Sequence, residues 1–300
     1  MYPRHLQIFK MKVSGFTFIR NAVKYDYPVA EAIKSILPIC DEVVVAVGKS
    51  DDDTISLIEN IDPKVRIIET VWDENLKEGG RVLAVETDKA FNAVSADSDW
   101  CFYIQGDEAI HEKYLDVVHR AMEQYKNDDK VDGLLFKYLH FYGSYDYVGN
   151  SSKWYRHEIR VIKNNKNIYS YQDAQGFRKG NNEKLNVKEV PAYIYHYGWV
   201  REPNAMQAKF NSFGKLWLGD EWSQEAEKKF SGPFDYAAID SLEKFTGTHP
   251  SVMLPRIKKM NWKFDRELSY NRLKLKDKLK NAIEKLTGRR FFEYRNYKKV

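Results

Sequence analysis

Apolar positions in the first hundred residues fall into short unbroken runs, separated by stretches of helical spacing. Val13 to Ile19 is one such run, aromatic and β-branched, and reads as a buried strand. Ala30, Ile33, Ile36 and Leu37 then recur at helical spacing until Pro38 stops them. Glu42 to Val47 predicts a second strand, Asp52 to Ile61 a helix with an acidic first turn, and Val65 to Ile68 a third strand. Gly79-Gly80 breaks the chain, Arg81 to Ala96 predicts a long helix, and Trp100 to Ile104 a fourth strand. Unbroken apolar strands alternating with helices predict an α/β fold, with a mainly parallel central sheet covered on both faces. Ligands of such sheets sit beyond the carboxyl ends of the strands, so the loops after each strand are where chemistry is expected.

The second half changes pattern. Val131 to Tyr142, Glu158 to Ile162 and Val190 to Tyr197 read as longer, partly alternating strands, and a helical tail is expected from about Glu202. Residues 164–188, rich in Asn, Lys and Gly, read mostly as surface loop, with a strand-like piece at Lys166 to Tyr171. The pattern divides the chain into a main domain over 11–200 and a helical C-terminal extension with a basic tail over 201–300. The first ten residues are mixed and basic, and read as an extension ahead of the core.

Composition narrows the class. The chain has 300 residues, 43% of them hydrophobic, enough for one large α/β domain with an appendage. Its longest apolar stretch, Val43 to Val47, is far below the roughly 20 residues that span a bilayer, and no apolar leader opens the chain. Cys40 and Cys101 lie in no CxxC or Cys/His cluster, which argues against zinc and for two reduced, buried thiols. These features predict a cytoplasmic protein. The net charge of +5 is mild and gives no reason to expect a nucleic-acid partner.

Two loops carry candidate chemistry. After the second strand comes Gly48-Lys49-Ser50-Asp51-Asp52-Asp53-Thr54, leading into a helix. Ser50 or Asp51 caps that helix, and the loop either does no more than that or receives a ligand's hydroxyl and N–H groups. It lacks the ending of a Walker loop, and its three carboxylates would repel a bare phosphate. After the fourth strand comes Gln105-Gly106-Asp107-Glu108, which sets carboxylates at the rim where ligands bind. They either hold magnesium or manganese against a diphosphate, or open the next helix.

Taken in order, these loops resemble the family 2 glycosyltransferases, members of the nucleotide-diphospho-sugar transferase superfamily with a Rossmann-like fold called GT-A. The resemblance rests on Phe18-Ile19-Arg20-Asn21, on Gly48, Ser50, Asp52 and Thr54, and on Asp99-Trp100 followed by Gln105-Gly106-Asp107-Glu108. It covers about the first 110 residues and continues more weakly to about Trp217. It implies a nucleotide-diphospho-sugar donor, a divalent cation on the diphosphate, and transfer with inversion to a glycan or lipid-linked acceptor, as in polysaccharide biosynthesis. Residues implied to touch the donor are Asn21, Ser50, Asp52, Gln105 and Asp107. Asp107, Glu108 and a late His196 are implied as metal ligands. Two positions depart from the family pattern: Gln105 replaces the usual first Asp, and Val47 stands where an acid often holds the nucleotide.

The same resemblance implies a catalytic base from the second half of the chain. Asp173 in Tyr171-Gln172-Asp173-Ala174-Gln175-Gly176 is the first candidate and Glu158 the reserve; Arg156 and Arg160, which flank Glu158, either contact diphosphate or solvate a strand edge. Tyr193, Tyr195, Tyr197 and Trp199 share one strand face, for core packing or sugar stacking, with His196 on the other. Residues 272–300 hold eleven Lys or Arg against Asp277, Glu284 and Glu293, while Leu275, Leu279, Ile283 and Leu286 form one helical stripe. That stripe either packs on the domain or docks residues 270–300 peripherally on an anionic inner membrane face. A competing reading keeps the fold as a binding module that has lost turnover, which Gln105 invites. A nucleotidyltransferase is disfavoured because the loop after the first strand has no glycine, and a dehydrogenase because no G-x-G-x-x-G follows it.

Overall fold

The computed structural model describes residues 11–73, 75–76, 78–218, 232–287 and 294–300. The basic opening decapeptide therefore lies outside the described residues. In chain order the elements are β1 (Val13–Ile19), α1 (Val29–Ile36), β2 (Glu42–Gly48), α2 (Thr54–Glu59), β3 (Val65–Thr70), α3 (Arg81–Asn92), β4 (Trp100–Tyr103), β5 (Glu108–Ile110) and α4 (Leu115–Tyr125). There follow β6 (Gly133–Tyr142), β7 (Ser144–Gly149), β8 (His157–Lys163), β9 (Ile168–Tyr171), β10 (Gly176–Lys179), β11 (Glu183–Lys184) and β12 (Asn186–Trp199). The remainder is α5 (Pro203–Leu218), β13 (Leu242–Lys244), α6 (Leu254–Lys258), α7 (Leu275–Thr287) and β14 (Lys298–Lys299).

The main sheet is mixed. Strands β3, β2, β1 and β4 lie side by side and parallel, then β8, β6 and β7 continue antiparallel, with β12 parallel to β6. This is the expected α/β class, with a Rossmann-like parallel half. The unbroken apolar strands are explained by burial on both faces. Val43, Val45 and Val47 pack toward α1 and α4, while Val44 and Ala46 pack with Phe16, Tyr103 and α3 on the other side. Because β2 and β4 flank β1 on opposite sides, the strand order reverses there, and a crevice opens beyond the carboxyl ends of β1 and β4.

Three expectations change. Residues 164–188 are not mainly loop: β9, β10 and β11 form a small antiparallel sheet, whose Phe177 is buried against Phe16 and Tyr103. Its polar composition hid it, since only one face of this sheet meets the core. Asp107 and Glu108 do not open a helix; Glu108 begins β5, which pairs with His196 of β12. Among the described residues, the stretch after 200 carries α5, α6 and α7 but also returns to the main sheet, with β13 pairing β7 and β14 pairing β12. Cys40 and Cys101 are free and buried. Among the described residues no helix is long and apolar enough to cross a membrane.

Candidate active site

A cavity of about 510 Å³ occupies the crevice at the switch point. Its walls come from the end of β1 (Phe18, Ile19, Arg20), the turn after β4 (Gln105, Gly106, Asp107), the β9–β10 turn (Asp173), the end of β12 (His196, Trp199) and α5 (Met206, Lys209, Phe210). A mostly apolar wall with a few converging polar groups is the usual make-up of a small-molecule site.

Asp107 is the electrostatic centre. Its Oδ2 accepts a hydrogen bond from Lys209 Nζ at 3.0 Å, and its Oδ1 lies 3.8 Å from His196 Nε2. Burial alone would push the carboxyl up, but the neighbouring cations Lys209 and Arg201 hold it well below the usual range. Lys209 is itself pushed down to about 8 by burial and by Arg201, partly offset by Asp107. Nothing in the sequence marked Lys209, because a lone lysine in a helical stretch has no spacing signal.

The protonation of His196 follows from its neighbours. His140 Nε2 lies 2.8 Å from the Tyr155 carbonyl, which can only accept, so this nitrogen donates. His140 Nδ1 is then the acceptor of the His140–His196 contact at 3.2 Å, and His196 Nδ1 the donor. Burial lowers both histidines, so neither carries a charge near neutral pH. The consequence is a bare lone pair on His196 Nε2, facing Asp107. Gly198 keeps that space open, since a Cβ there would lie 2.5 Å from His196 Nε2 and 2.9 Å from Asp107 Oδ2.

His196 and Trp199, an odd number of residues apart, would face opposite sides of a regular strand. A register shift between them in the β6–β12 pairing turns both to the cavity. Tyr195 and Tyr197 instead stack on Phe141 in the core, which separates the aromatic row into packing and site members.

Asp173 reaches the cavity from a strained turn. Gln172 and Ala174, on either side of it, have φ of 53° and 63°, a left-handed conformation that residues with a side chain rarely adopt. Desolvation raises the Asp173 carboxyl above its ordinary range, against backbone hydrogen bonds that lower it. The turn is held to the donor-side rim: Gln105 Nε2 donates to the Ala174 carbonyl at 3.1 Å, and Arg160 Nη1 to the Gln175 carbonyl at 3.1 Å. An Asp at 105 would set a carboxylate against the Ala174 carbonyl, so the amide has a local reason.

The remaining sequence candidates lie outside the cavity wall. Glu108 is fully buried, and both of its oxygens accept from Arg160 at 2.8 Å, one also from Tyr138. With its lone pairs used this way, Glu108 fixes Arg160 rather than facing the cavity, which corrects the expected metal role. Arg160 therefore neither contacts the cavity nor solvates an edge, while Arg156 reaches Glu284 of α7. Glu158 is buried beside Gly176, on a part of β8 that does not line the cavity. Asn21, Ser50 and Asp52 clamp two loops together: Asn21 N donates to Ser50 Oγ, Asp51 N to Asn21 Oδ1, and Lys24 N to Asp52 Oδ2. The clamp sets the position of Arg20, which reaches the wall itself and lies over the Trp72 ring.

No family model and no curated protein matches the chain. Among solved structures it is similar to TarS of S. aureus, at 15% identity and a TM-score of 0.42, over 73% of this chain and 42% of that one. The chain thus spans less than half the length of that structure. It is also similar to a TarS 1-349 complex with UDP, at 14% identity and a TM-score of 0.39, over 73% and 71% of the two chains. A third is glucosyl-3-phosphoglycerate synthase from Mycobacterium tuberculosis with Mn2+, UDP and phosphoglyceric acid, at 17% identity and a TM-score of 0.29, over 43% of each chain.

Proposed function

We propose that the protein is a glycosyltransferase that moves a sugar from a nucleotide-diphosphate donor to a glycan or lipid-linked acceptor, with inversion. The observation that carries the reading is one cavity at the switch point of the sheet, holding Asp107 with its Lys209 counter-charge on one side and a desolvated Asp173 on another. Phe18 and Trp72, their rings tilted by 56°, offer an aromatic corner for the base. Arg20 and Lys209 supply positive charge for the diphosphate. Asp173 takes the proton of the acceptor hydroxyl as it attacks, and a single displacement inverts the anomeric centre. Glu108, Arg160 and Gln105 hold the Asp173 turn in register with the donor side.

A divalent cation fits the residues present. The His196 lone pair and the Asp107 carboxylate face each other across a gap that Gly198 leaves open, and two such donors repel unless a cation lies between them. Among the described residues no third His, Cys, Asp or Glu joins them. Asp107 and His196 would hold the ion, and an oxygen-plus-imidazole pair suits manganese better than magnesium. When bound, the ion would neutralise charge on the leaving diphosphate.

Thermal shift with UDP, GDP, dTDP and CDP, each with and without manganese, tests the reading. One nucleotide is expected to stabilise, by about 2.7 kcal/mol at a hundredfold excess over its Kd. Stabilisation by none of them would contradict it. His140 carries a separate expectation. His140→Phe keeps the ring packed against Trp154 and Tyr138 but frees the His196 tautomer, so manganese affinity should fall about 10- to 100-fold. A manganese titration by electron paramagnetic resonance reads this directly, and an unchanged affinity would remove the relay.

A further inference from the structure

Helix α7 is packed inside out. Asp277 is buried, Asn281 donates to the Asn150 carbonyl at 3.1 Å, and Glu284 faces Arg156, so the polar side of the helix meets the domain. The apolar side meets solvent: Leu275, Leu279 and Leu286 are 84%, 63% and 86% exposed. At 100° per residue these leucines and Ala282 form one stripe, with exposed Lys276 on one flank and exposed Lys278 on the other. Both acids of the helix are turned to the domain, so the outward face carries lysine charge alone. Of the expected stripe, Ile283 lies at its inner edge and is half-buried, while the three leucines do not pack on the domain.

We propose that α7 docks the protein on an anionic lipid surface, with its leucine stripe in the acyl boundary and its flanking lysines on the headgroups. The charge pattern selects the occupant. A like copy of this face would bring lysines against lysines, whereas a bilayer rich in acidic lipid supplies both the apolar layer and the opposite charge. The docking does not depend on the donor chemistry. Its consequence does, and rests on the transferase reading: Asn150 and Arg156, which hold α7, bracket a short segment whose Tyr155 lines the cavity. A docked helix therefore brings the cavity close to the headgroup layer, where a lipid-linked acceptor would present its hydroxyl.

Flotation with phosphatidylglycerol-containing vesicles and with pure phosphatidylcholine vesicles tests this on the full chain. The wild type is expected to float with the acidic vesicles only, and less at high salt. Leu275→Ser/Leu279→Ser/Leu286→Ser and, separately, Lys276→Glu/Lys278→Glu should each weaken binding about tenfold or more. The nucleotide response of both variants should stay at the wild-type level, which shows that they fold and separates this outcome from failure of the donor reading. Wild type that ignores acidic vesicles, or variants that bind as well as it does, would overturn the proposal. So would a wild-type dimer in light scattering that the leucine variant dissolves without any vesicle binding.

Discussion

Asp107→Ala is expected to lower transfer by at least about a thousandfold and to remove any manganese-dependent stabilisation by nucleotide. The carboxylate is buried, yet Lys209 and Arg201 keep it ionised at every working pH. Its fixed negative charge faces the His196 lone pair. Its loss also exposes a structural debt, because the largely enclosed Lys209 ammonium loses the carboxylate it is paired with, at about 3 kcal/mol. The sign with pH follows from the depressed carboxyl. Its contribution is fully present above the unfolded value of 3.8, and is lost as pH falls through the lower folded value. Wild type and variant should therefore differ most at neutral pH and converge in strong acid. Denaturant melts at several pH values, read beside donor turnover, check both halves of the expectation. Asp107→Asn, which keeps the shape of the side chain while removing the charge, should show both losses and so excludes a cavity as their cause.

Asp173→Asn is expected to behave in the opposite way on stability. Transfer should fall by about 10²- to 10⁴-fold, the range for a removed general base, while nucleotide still binds. The folded carboxyl is raised by desolvation, so the native state favours its proton more than the unfolded chain does. Ionised Asp173 thus costs stability above its folded value, and that cost is relieved as pH falls through it. The neutral amide escapes the cost, so at neutral pH the variant should melt no lower than the wild type, and somewhat higher. In the wild type, kcat/KM should lose about tenfold per pH unit on an acid limb whose midpoint lies above the ordinary 3.8. A variant that loses nucleotide binding along with turnover would move Asp173 from base to binding group.

The parallel half of the sheet was legible because strands buried on both faces write themselves as unbroken apolar runs, as Val43 to Val47 does. The position of Asp107 was legible for a related reason, since the apolar run of β4 stops abruptly and its rim is where polar groups must face a ligand. What the residues near it do was less legible. Glu108 reads like Asp107 in the sequence, but β5 turns it under the sheet onto Arg160, and only the strand pairing shows that. Asn21, Ser50 and Asp52 have the right types and order, but their polar groups satisfy the backbone of the neighbouring loop. Lys209 and Tyr155 reach the cavity from a helix and a loop with no periodic pattern to betray them. The register shift that aims His196 and Trp199 the same way depends on β6, a partner that strand periodicity alone does not name.

Release of nucleoside diphosphate from a panel of UDP-, GDP-, dTDP- and CDP-sugars, in the presence of manganese, tests the central claim most directly. The account predicts metal-stimulated release from one donor class, lost in Asp107→Ala and sharply reduced in Asp173→Asn. Release that persists undiminished in both variants, or no release from any donor despite nucleotide binding, would contradict it.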